Sequence, residues 1–311
     1  MSGRASAAGA PTGALAGRVC VVTGATRGIG RATAMQLARL GADVVIVGRD
    51  EARLDAVRIE AKHAAGNERV HCVRADFASL ASVRLAGQEI AQRWPAIHVL
   101  VNNAGVNAAR RTTSADGYEM TFAVNHLAPF LLTALLVPAL TAGAVARDAP
   151  SRIVNVASVF AHFGWLSLAD PMFERRRYGS TQAYNQSKLA NIVYTIELAA
   201  RLERSGITVN CVSPGLVATD LLREHAWFAA RWLRGLWERV LLSPDQAAAR
   251  IVRVATSDAL SGTTGQCFAG SARPIMVPGR ASDPDTRRRF WELSTALTDA
   301  PVLDTTPTVV R

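Results

Sequence analysis

A tyrosine and a lysine four residues apart, Tyr184 and Lys188, form a pair that could carry out proton transfer. Residues at this spacing on a helix share a face, so the two side chains are expected to lie side by side. A phenol in water has a pKa of about 10, and a neighbouring ammonium is expected to lower that pKa toward neutral pH. The pair therefore indicates general acid/base chemistry at a hydroxyl or carbonyl oxygen.

This pair has no competitor within the sequence. The residues four positions after the other three tyrosines are Phe122, Gln182 and Leu198. Lys188 is one of only two lysines in the chain, against 33 arginines. A compact ammonium fits beside a phenol where a broad guanidinium would not fit as readily. Taken alone, the pair could also be an ordinary surface contact between side chains four residues apart.

A glycine-rich turn joins the apolar run Val19–Thr23 to a helical stretch at 30–40. Such a turn can bring main-chain N–H groups to a pyrophosphate, and the helix amino terminus adds a partial positive charge. We expect a Cβ at Gly24 or Gly28 to hold the phosphate away, and Gly30 to allow close helix–strand packing. The loop residues predicted to bind a dinucleotide are Thr23, Gly24, Thr26, Arg27, Gly28, Ile29 and Gly30. The alternative is a turn whose glycines serve only the backbone.

With Thr23 ahead of it, the GxxxGxG spacing resembles the TGxxxGxG loop of the short-chain dehydrogenase/reductase family. In that family, an acidic residue at the end of the second strand binds the ribose hydroxyl of NAD and repels the 2′-phosphate of NADP. The matching position is Gly48, and Arg49 follows it. Arg49 and Arg27 could clamp a phosphate, so the resemblance implies NADP(H). Alternatively, Arg49 is solvated and Asp50 only caps the next helix.

The resemblance assigns further roles residue by residue. Ser158, at the end of an apolar strand, would hold the substrate oxygen toward Tyr184. Asn125 would support a water relay to Lys188, which also binds ribose. The remaining cofactor contacts implied are Asp76, Phe77, Asn103, Ala104, Gly105, Tyr184, Pro214, Gly215, Val217 and Thr219. For Asp76, capping of the following helix is an alternative, and His126 is expected to serve packing.

Ser158 and Tyr184 lie farther apart than in many members of the family. Together with the residues around Tyr184, this longer segment resembles the branch that contains retinol dehydrogenases and the WW-domain oxidoreductase. The resemblance covers about residues 16 to 270, and Trp291 to Ser294 agrees with it. The amino-terminal membrane anchor of many of those relatives is not apparent, so a retinoid substrate is not implied.

The elements that must position these residues alternate between short β-branched runs and longer helical patterns. Strands that are apolar on both sides, separated by helices, are typical of a parallel sheet covered on both faces. We predict an α/β fold, a single doubly wound Rossmann domain with about seven parallel strands, over residues 17–270. The predicted strands are Val19–Thr23, Asp43–Val47, Val70–Val73, His98–Val101, Arg152–Val156, Thr208–Val212 and Gln266–Phe268. The predicted helices are 30–40, 51–65, 79–93, 114–141, 182–204 and 244–257. Residues 1–16 are expected to be a disordered tail, and 271–311 an extension packed on or near the domain.

The composition is that of a globular protein with more basic than acidic residues. With 311 residues and 49% hydrophobic content, the chain can bury a substantial core, which excludes a disordered or fibrous protein. The net charge of +10 invites a nucleic-acid hypothesis, but the arginines are spread over nearly every segment. We therefore expect no nucleic-acid partner, although a basic surface could help to attract an anionic cofactor.

Three negative observations shape the expectations about location and metal content. The longest apolar run, Leu127 to Leu140, falls short of the ~20 residues that a membrane helix needs. No charged segment followed by an apolar one opens the chain, so a secretory signal is not expected. The four cysteines, Cys20, Cys72, Cys211 and Cys267, lack CxxC spacing. We expect buried reduced thiols, no metal site and a cytoplasmic protein.

Residues 221–242 hold three of the six tryptophans and have an apolar helical stripe. This segment could pack on the core, close over an apolar substrate, or contact a membrane surface. The sequence therefore predicts an NADP(H)-dependent oxidoreductase that interconverts a carbonyl and an alcohol on a lipophilic small molecule. The alternative is an NADP(H)-binding regulatory or scaffold protein of the same fold, and whether the chain forms a homodimer is left open.

Overall fold

One parallel sheet organises the part of the chain that the computed structural model describes, residues 13–66, 68–217, 241–270 and 274–303. Its strand order is β3-β2-β1-β4-β5-β6-β7, and every neighbouring pair is parallel. The strands are β1 (Val19–Thr23), β2 (Asp43–Gly48), β3 (Val70–Arg74), β4 (Val99–Asn102), β5 (Ser151–Val156), β6 (Ile207–Ser213) and β7 (Cys267–Ala269). The predicted doubly wound α/β fold is confirmed.

Helices cover both faces of this sheet. In the described ranges they are α1 (Gly28–Arg39), α2 (Glu51–Ala65), α3 (Leu80–Arg93), α4 (Met120–Phe122), α5 (Ala128–Arg147), α6 (Ser180–Arg201), α7 (Pro244–Thr256), α8 (Gly279–Ser282) and α9 (Pro284–Thr298). A π-helical turn, Ala123–Leu127, joins α4 to α5, and 3-10 turns span Val159–Phe163 and Asp258–Leu260. The helix predicted for 114–141 thus begins later, ends later and contains a π turn.

Two hydrophobic clusters lie on opposite faces of the sheet. Val45 belongs to the cluster beneath α3, α5, α6 and α9, whereas its neighbours Val44 and Ile46 belong to the cluster beneath α1, α2 and α7. Successive side chains on a strand point to opposite faces, so a sheet covered on both sides needs strands that are apolar at consecutive positions. This requirement explains the continuous apolar runs in the sequence.

The strand order reverses between β1 and β4, the two strands at the centre of the sheet. In open α/β sheets the crevice for a ligand forms at such a switch point, beyond the carboxyl ends of the strands. The glycine-rich loop leaves β1 at this point, and Asn103 to Gly105 leave β4 beside it. The topology therefore brings together two motifs that lie about 80 residues apart in the sequence.

The helical run Met120–Arg147 is long and apolar enough to cross a membrane by length and composition, with a hydropathy of 1.9 in its most apolar window. In the structure, 78% of that window is buried inside the protein. The run extends beyond Leu127 to Leu140 at both ends, and neither proline interrupts it: Pro129 lies in the first turn of α5, and Pro138 is accommodated within the helix. Its apolar surface is used in packing against α3 and β5.

Both ends of the described chain pack onto the domain. Leu15 is buried and donates its N–H to Leu40, so residues 13–16 belong to the packed structure and not to a tail. Helix α9, for which the sequence analysis predicted no helix, buries Phe290 and lays Trp291 against Phe130 with ring centres 4.9 Å apart. Residues 1–12, most of 221–242, and 304–311 lie outside the described ranges, as does Thr219.

A disulfide joins Cys211 on β6 to Cys267 on β7. The two residues are register partners on neighbouring strands, with α-carbons 4.7 Å apart and a separation of 56 positions in the sequence. The expectation of four reduced thiols is therefore wrong for this pair, while Cys20 and Cys72 are free. Spacing along the chain could not reveal the pair, because it is created by strand register.

Reduction of this disulfide is expected to lower the free energy of unfolding by about 2–4 kcal/mol, since the bond restricts a long loop of the unfolded chain. Denaturant unfolding with and without reductant measures the change. A Cys211→Ala/Cys267→Ala protein is the control, because its stability should not respond to reductant. Mass spectrometry after alkylation of the denatured, unreduced protein should show two modified cysteines, and four would contradict the assignment.

Candidate active site

A cleft of about 530 Å³ opens beyond the carboxyl ends of the central strands. Its volume lies within the range of small-molecule and cofactor sites. The predicted site residues that line it are Gly24, Thr26, Arg27, Gly28, Ile29, Gly30, Arg49, Asp76, Phe77, Asn103, Ala104, Gly105, Ser158, Tyr184, Lys188, Pro214, Gly215 and Val217. Thr23 and Asn125 are not among the lining residues, and both are completely buried.

The glycine loop is held against the segment that follows β4. Gly24 has a φ of 65°, and a Cβ there would lie 2.7 Å from the α-carbon of Ala104. A Cβ on Gly30 would lie 2.3 Å from both Asn103 Nδ2 and the Gly24 carbonyl oxygen. Close approach of the two segments is thus a first reason for glycine at position 24, in addition to the phosphate clearance expected from the sequence.

Thr23 and Asn103 bond these two segments together. The Thr23 hydroxyl oxygen accepts hydrogen bonds from the main-chain N–H groups of Asn103 and Ala104, both at 3.0 Å. Asn103 Nδ2 donates in return to the Thr23 carbonyl oxygen at 2.8 Å. Thr23 therefore braces the floor of the cleft from behind, a structural role that differs from the direct cofactor contact predicted for it.

The end of the cleft at α1 and α2 is suited to phosphate groups. No side chain caps the first N–H groups of α1, and no acidic residue lies in its first turn. A helix amino terminus in this state attracts anions. Arg27, Arg49 and Arg53 line the cleft here, and the sequence analysis did not single out Arg53. The sequence feature that could have identified Arg53 is its position in the first turn of α2, three residues after Asp50.

Gly48 leaves little room for the acidic side chain of an NAD-type site. A Cβ at this buried position would lie 2.8 Å from Thr26 Cγ2. Asp50 caps α2 by accepting a hydrogen bond from the Arg53 N–H at 3.1 Å, which was the alternative considered for it. Arg49 is exposed and lines the cleft as well, so the two interpretations of this segment are compatible.

Asp76 also lines the cleft, but it does not cap α3. Its Oδ1 accepts from the Ala78 N–H at 3.0 Å, which closes a local turn. Ser79 is the residue that caps α3, by accepting from the Ser82 N–H at 3.3 Å. The Asp76 side chain is exposed at the wall of the cleft.

Tyr184, Lys188 and Ser158 meet at the inner part of the cleft. Tyr184 and Lys188 lie one turn apart on α6, with the Lys188 ammonium 5.6 Å from the centre of the Tyr184 ring. Lys188 Nζ donates to the Val156 carbonyl oxygen at 3.0 Å. Ser158 lies two residues beyond the end of β5 and lines the cleft with Tyr184, and its side chain acts to lower the pKa of the tyrosine. Burial lowers the pKa of Lys188 to about 8.

The pKa of Tyr184 differs from the sequence expectation. Burial raises it to about 12, and the interaction with the Ser158 side chain offsets only part of that rise. A neighbouring ammonium was expected to lower it, but removal of the phenolate from water dominates. The phenol is therefore protonated at neutral pH, which is the state of a proton donor.

Asn125 lies behind the cleft, in the π-helical turn between α4 and α5. Its Oδ1 accepts from the Val106 N–H at 2.7 Å, and its Nδ2 donates to Val106 O and to the Ser187 hydroxyl. A Cβ on Gly105 would lie 3.3 Å from Asn125 Oδ1 and 3.5 Å from Lys188 Nζ. Asn125 is therefore a positioning residue that holds the segment after β4 beside the lysine.

A second positioning residue, Arg250 on α7, was missed by sequence reasoning. Its guanidinium donates to the Pro214 carbonyl oxygen at 2.9 Å. Gly215 has a φ of 101°, and a Cβ there would lie 2.8 Å from Arg250 Nη1. Helix α7 thereby fixes the loop of Pro214, Gly215 and Val217 against the cleft. A single arginine in an arginine-rich chain carried no signal of this role.

The long segment between Ser158 and Tyr184 is tied to the catalytic helix. Buried Asp170 accepts from the N–H groups of Glu174 and Arg176 at 2.8 and 3.0 Å. Gln186, two residues after Tyr184, donates to Pro171 O and accepts from Arg176.

His126 packs as expected, with Phe290 4.6 Å away and its Nε2 2.8 Å from Ser294 Oγ.

Comparison with known proteins agrees with this geometry. Residues 18–227 match the model of the family described as short chain dehydrogenase. Polyprenol dehydrogenase of Mus musculus is 40% identical over 287 residues, which cover 91% of this chain and 84% of that protein. Retinol dehydrogenase 13 of Homo sapiens is 36% identical over 285 residues, which cover 90% and 84%.

A solved structure shows the same fold. The crystal structure of an uncharacterised protein from Mycobacterium paratuberculosis is similar, with a TM-score of 0.74 and 29% sequence identity. The similarity covers 94% of this chain and 97% of that one.

Proposed function

The chain belongs to the short chain dehydrogenase family, and we propose that it is an NADP(H)-dependent oxidoreductase that interconverts a carbonyl and an alcohol on a lipophilic substrate. One observation carries this proposal. Tyr184, Ser158 and Lys188 line the same cleft as the glycine loop and the arginines at the end of β2. A proton donor and a dinucleotide cradle in one cleft are the two parts that carbonyl reduction needs.

The fit of a dinucleotide rests on the donor set of the cleft. The open amino terminus of α1 suits a pyrophosphate, and the lining side chains include four cations against two carboxylates. When bound, the nicotinamide supplies or accepts the hydride at the carbonyl carbon. The glycine loop, Asn103 and the loop of Pro214 would hold the cofactor, and Lys188 would bind its ribose.

In the reductive direction, Tyr184 gives its phenolic proton to the substrate oxygen as the hydride reaches the carbon. Ser158, which lines the cleft together with Tyr184, holds that oxygen in place. The ammonium of Lys188 stabilises the phenolate that remains. In the oxidative direction Tyr184 must lose its proton first, so a raised pKa favours reduction at neutral pH.

Two observations support a lipophilic substrate. The names of the two relatives refer to polyprenol and to retinol, both lipophilic alcohols. In this chain, the cleft wall includes the apolar side chains of Val106, Met120, Val124, Phe160 and Leu216. Whether residues 221–242 close over the substrate stays a prediction, because almost all of them lie outside the described ranges.

Arg49→Ala is expected to raise the KM for NADPH by about tenfold or more and to change the KM for NADH little, because a charge-assisted bond to phosphate is worth about 1.5–3 kcal/mol. Steady-state kinetics with both cofactors and one lipophilic aldehyde measure the difference. Arg58→Ala, on the helix that follows Arg49 but outside the cleft, is the matched control. Equal effects on the two cofactors would refute the assignment of NADP(H).

A panel of carbonyl compounds tests the reaction itself. Retinal and long-chain aldehydes should be reduced with higher kcat/KM than short polar aldehydes, as followed by cofactor absorbance. Cofactor binding without turnover of any carbonyl or alcohol would instead identify a binding protein of the same fold.

A further inference from the structure

Asp50 and Arg53 form an ion pair on the wall of the cleft, at the place where NADP(H) and NAD(H) are distinguished. Asp50 lines the cleft two residues beyond Gly48, the position at which the family carries its acidic residue, and its negative charge there would repel a 2′-phosphate. Both residues line the cleft, beside Arg49. A chain that favours NADP(H) thus carries an acidic group at a position that is unfavourable for the extra phosphate.

Both oxygens of the Asp50 carboxylate contact Arg53. Its Oδ1 accepts from the Arg53 N–H at 3.1 Å, and its Oδ2 lies 3.1 Å from Arg53 Nε. The first contact caps α2, and the second places a guanidinium directly against the negative charge. The side chains of Asp50 and Arg53 are 44% and 64% exposed, so the pair is partly screened by water.

We infer that Arg53 is a specificity-determining residue that acts by neutralising Asp50, so that the adenosine end of the cleft accepts a 2′-phosphate. This inference rests on the proposed use of NADP(H). A Cβ at position 48 would lie 2.8 Å from Thr26 Cγ2, so an acidic side chain there would require Thr26 to move. Asp50 is the carboxylate that lines the cleft next to the end of β2, and its charge is the one that must be neutralised. The Asp50–Arg53 ion pair forms between the N-cap and the first turn of α2, so the charge of Asp50 is neutralised before the cofactor binds.

Binding of NADPH and NADH, measured by isothermal titration calorimetry without substrate, tests the inference. Arg53→Gln should weaken NADPH binding ~5-fold, the upper range for an exposed ion pair, and leave NADH binding unchanged or slightly tighter. Asp50→Asn keeps the helix cap and should not weaken NADPH binding. The double variant Asp50→Asn/Arg53→Gln should bind NADPH as tightly as Asp50→Asn alone, since no charge then needs masking.

A matched control is present on the same helix. Asp55 and Arg58 form a pair with the same spacing and a distance of 3.0 Å, but neither lines the cleft. Arg58→Gln should leave both affinities unchanged. The effect of Arg53→Gln should also shrink at high salt, because exposed charges are screened.

The outcomes separate this inference from the proposed function. A wild-type protein that binds NADH more tightly than NADPH would overturn the cofactor assignment itself. A wild-type preference for NADPH that Arg53→Gln leaves intact would overturn only the role of Arg53. A double variant as weak as Arg53→Gln would show that Arg53 binds the phosphate directly, which also contradicts masking of Asp50.

Discussion

The Tyr184→Phe protein is expected to bind NADPH with the affinity of the wild type and to reduce carbonyl substrates ~10²–10⁴-fold more slowly. Phenylalanine preserves the ring that is buried on α6 but removes the hydroxyl that donates the proton. Binding calorimetry and single-turnover kinetics separate the two effects. Wild-type turnover in this variant would disprove the assigned mechanism.

Tyr118→Phe provides the matched control. The Tyr118 hydroxyl donates to the Leu297 carbonyl oxygen at 2.8 Å, away from the cleft, so its removal should affect stability by about 1 kcal/mol and leave kcat unchanged.

The pH dependence of the wild-type rates is a second test of the role of Tyr184. Because burial raises the pKa of Tyr184, wild-type alcohol oxidation should accelerate as pH rises above 7, while carbonyl reduction should not.

The Lys188→Met protein is expected to lose ~10²-fold or more in kcat and to bind cofactor more weakly, since methionine lacks the ammonium that stabilises the phenolate and binds ribose. Lys188→Arg should not restore activity, because the side chain is buried and a guanidinium is broader than an ammonium. Lys62→Met removes the other lysine, which pairs with Glu68 at the surface, and should be kinetically silent.

Stability against pH checks the buried charge independently of activity. Burial lowers the pKa of Lys188 to about 8, so the folded chain binds this proton less tightly than the unfolded chain does. Below pH 8 both states are protonated and the burial cost is present in full; as pH rises from 8 toward 10.5 the cost disappears and stability should increase. Lys188→Met should lack this increase. An identical rise in both proteins would contradict the burial of a charged lysine.

Much of the fold was predictable because its signals are local. Each predicted strand lies within one or two residues of an observed one, since apolar runs bounded by turns identify buried strands. Helix α9 was not predicted, because its outer face is polar and its apolar residues act only against distant partners such as His126 and Phe130. The π turn at Ala123–Leu127 likewise has no signature in composition.

The lining of the site was predictable where a motif is contiguous. The glycine loop, Asn103 to Gly105 and the Tyr184–Lys188 pair all reach one cleft, as their spacing indicated. Arg53 and Arg250 were missed because each acts through a neighbour, Asp50 or Pro214, that is recognised only in three dimensions.

By itself, the sequence determined which chemical groups are available and which of them lie on one helix or in one loop, because turns, helix periodicity and side-chain type are properties of neighbouring residues. Tertiary structure decided the rest. It paired Cys211 with Cys267 through strand register, moved Thr23 and Asn125 behind the cleft, and buried Tyr184 so that the pKa of the phenol rose instead of falling. Register and desolvation depend on residues far apart in the chain, which a local pattern does not record.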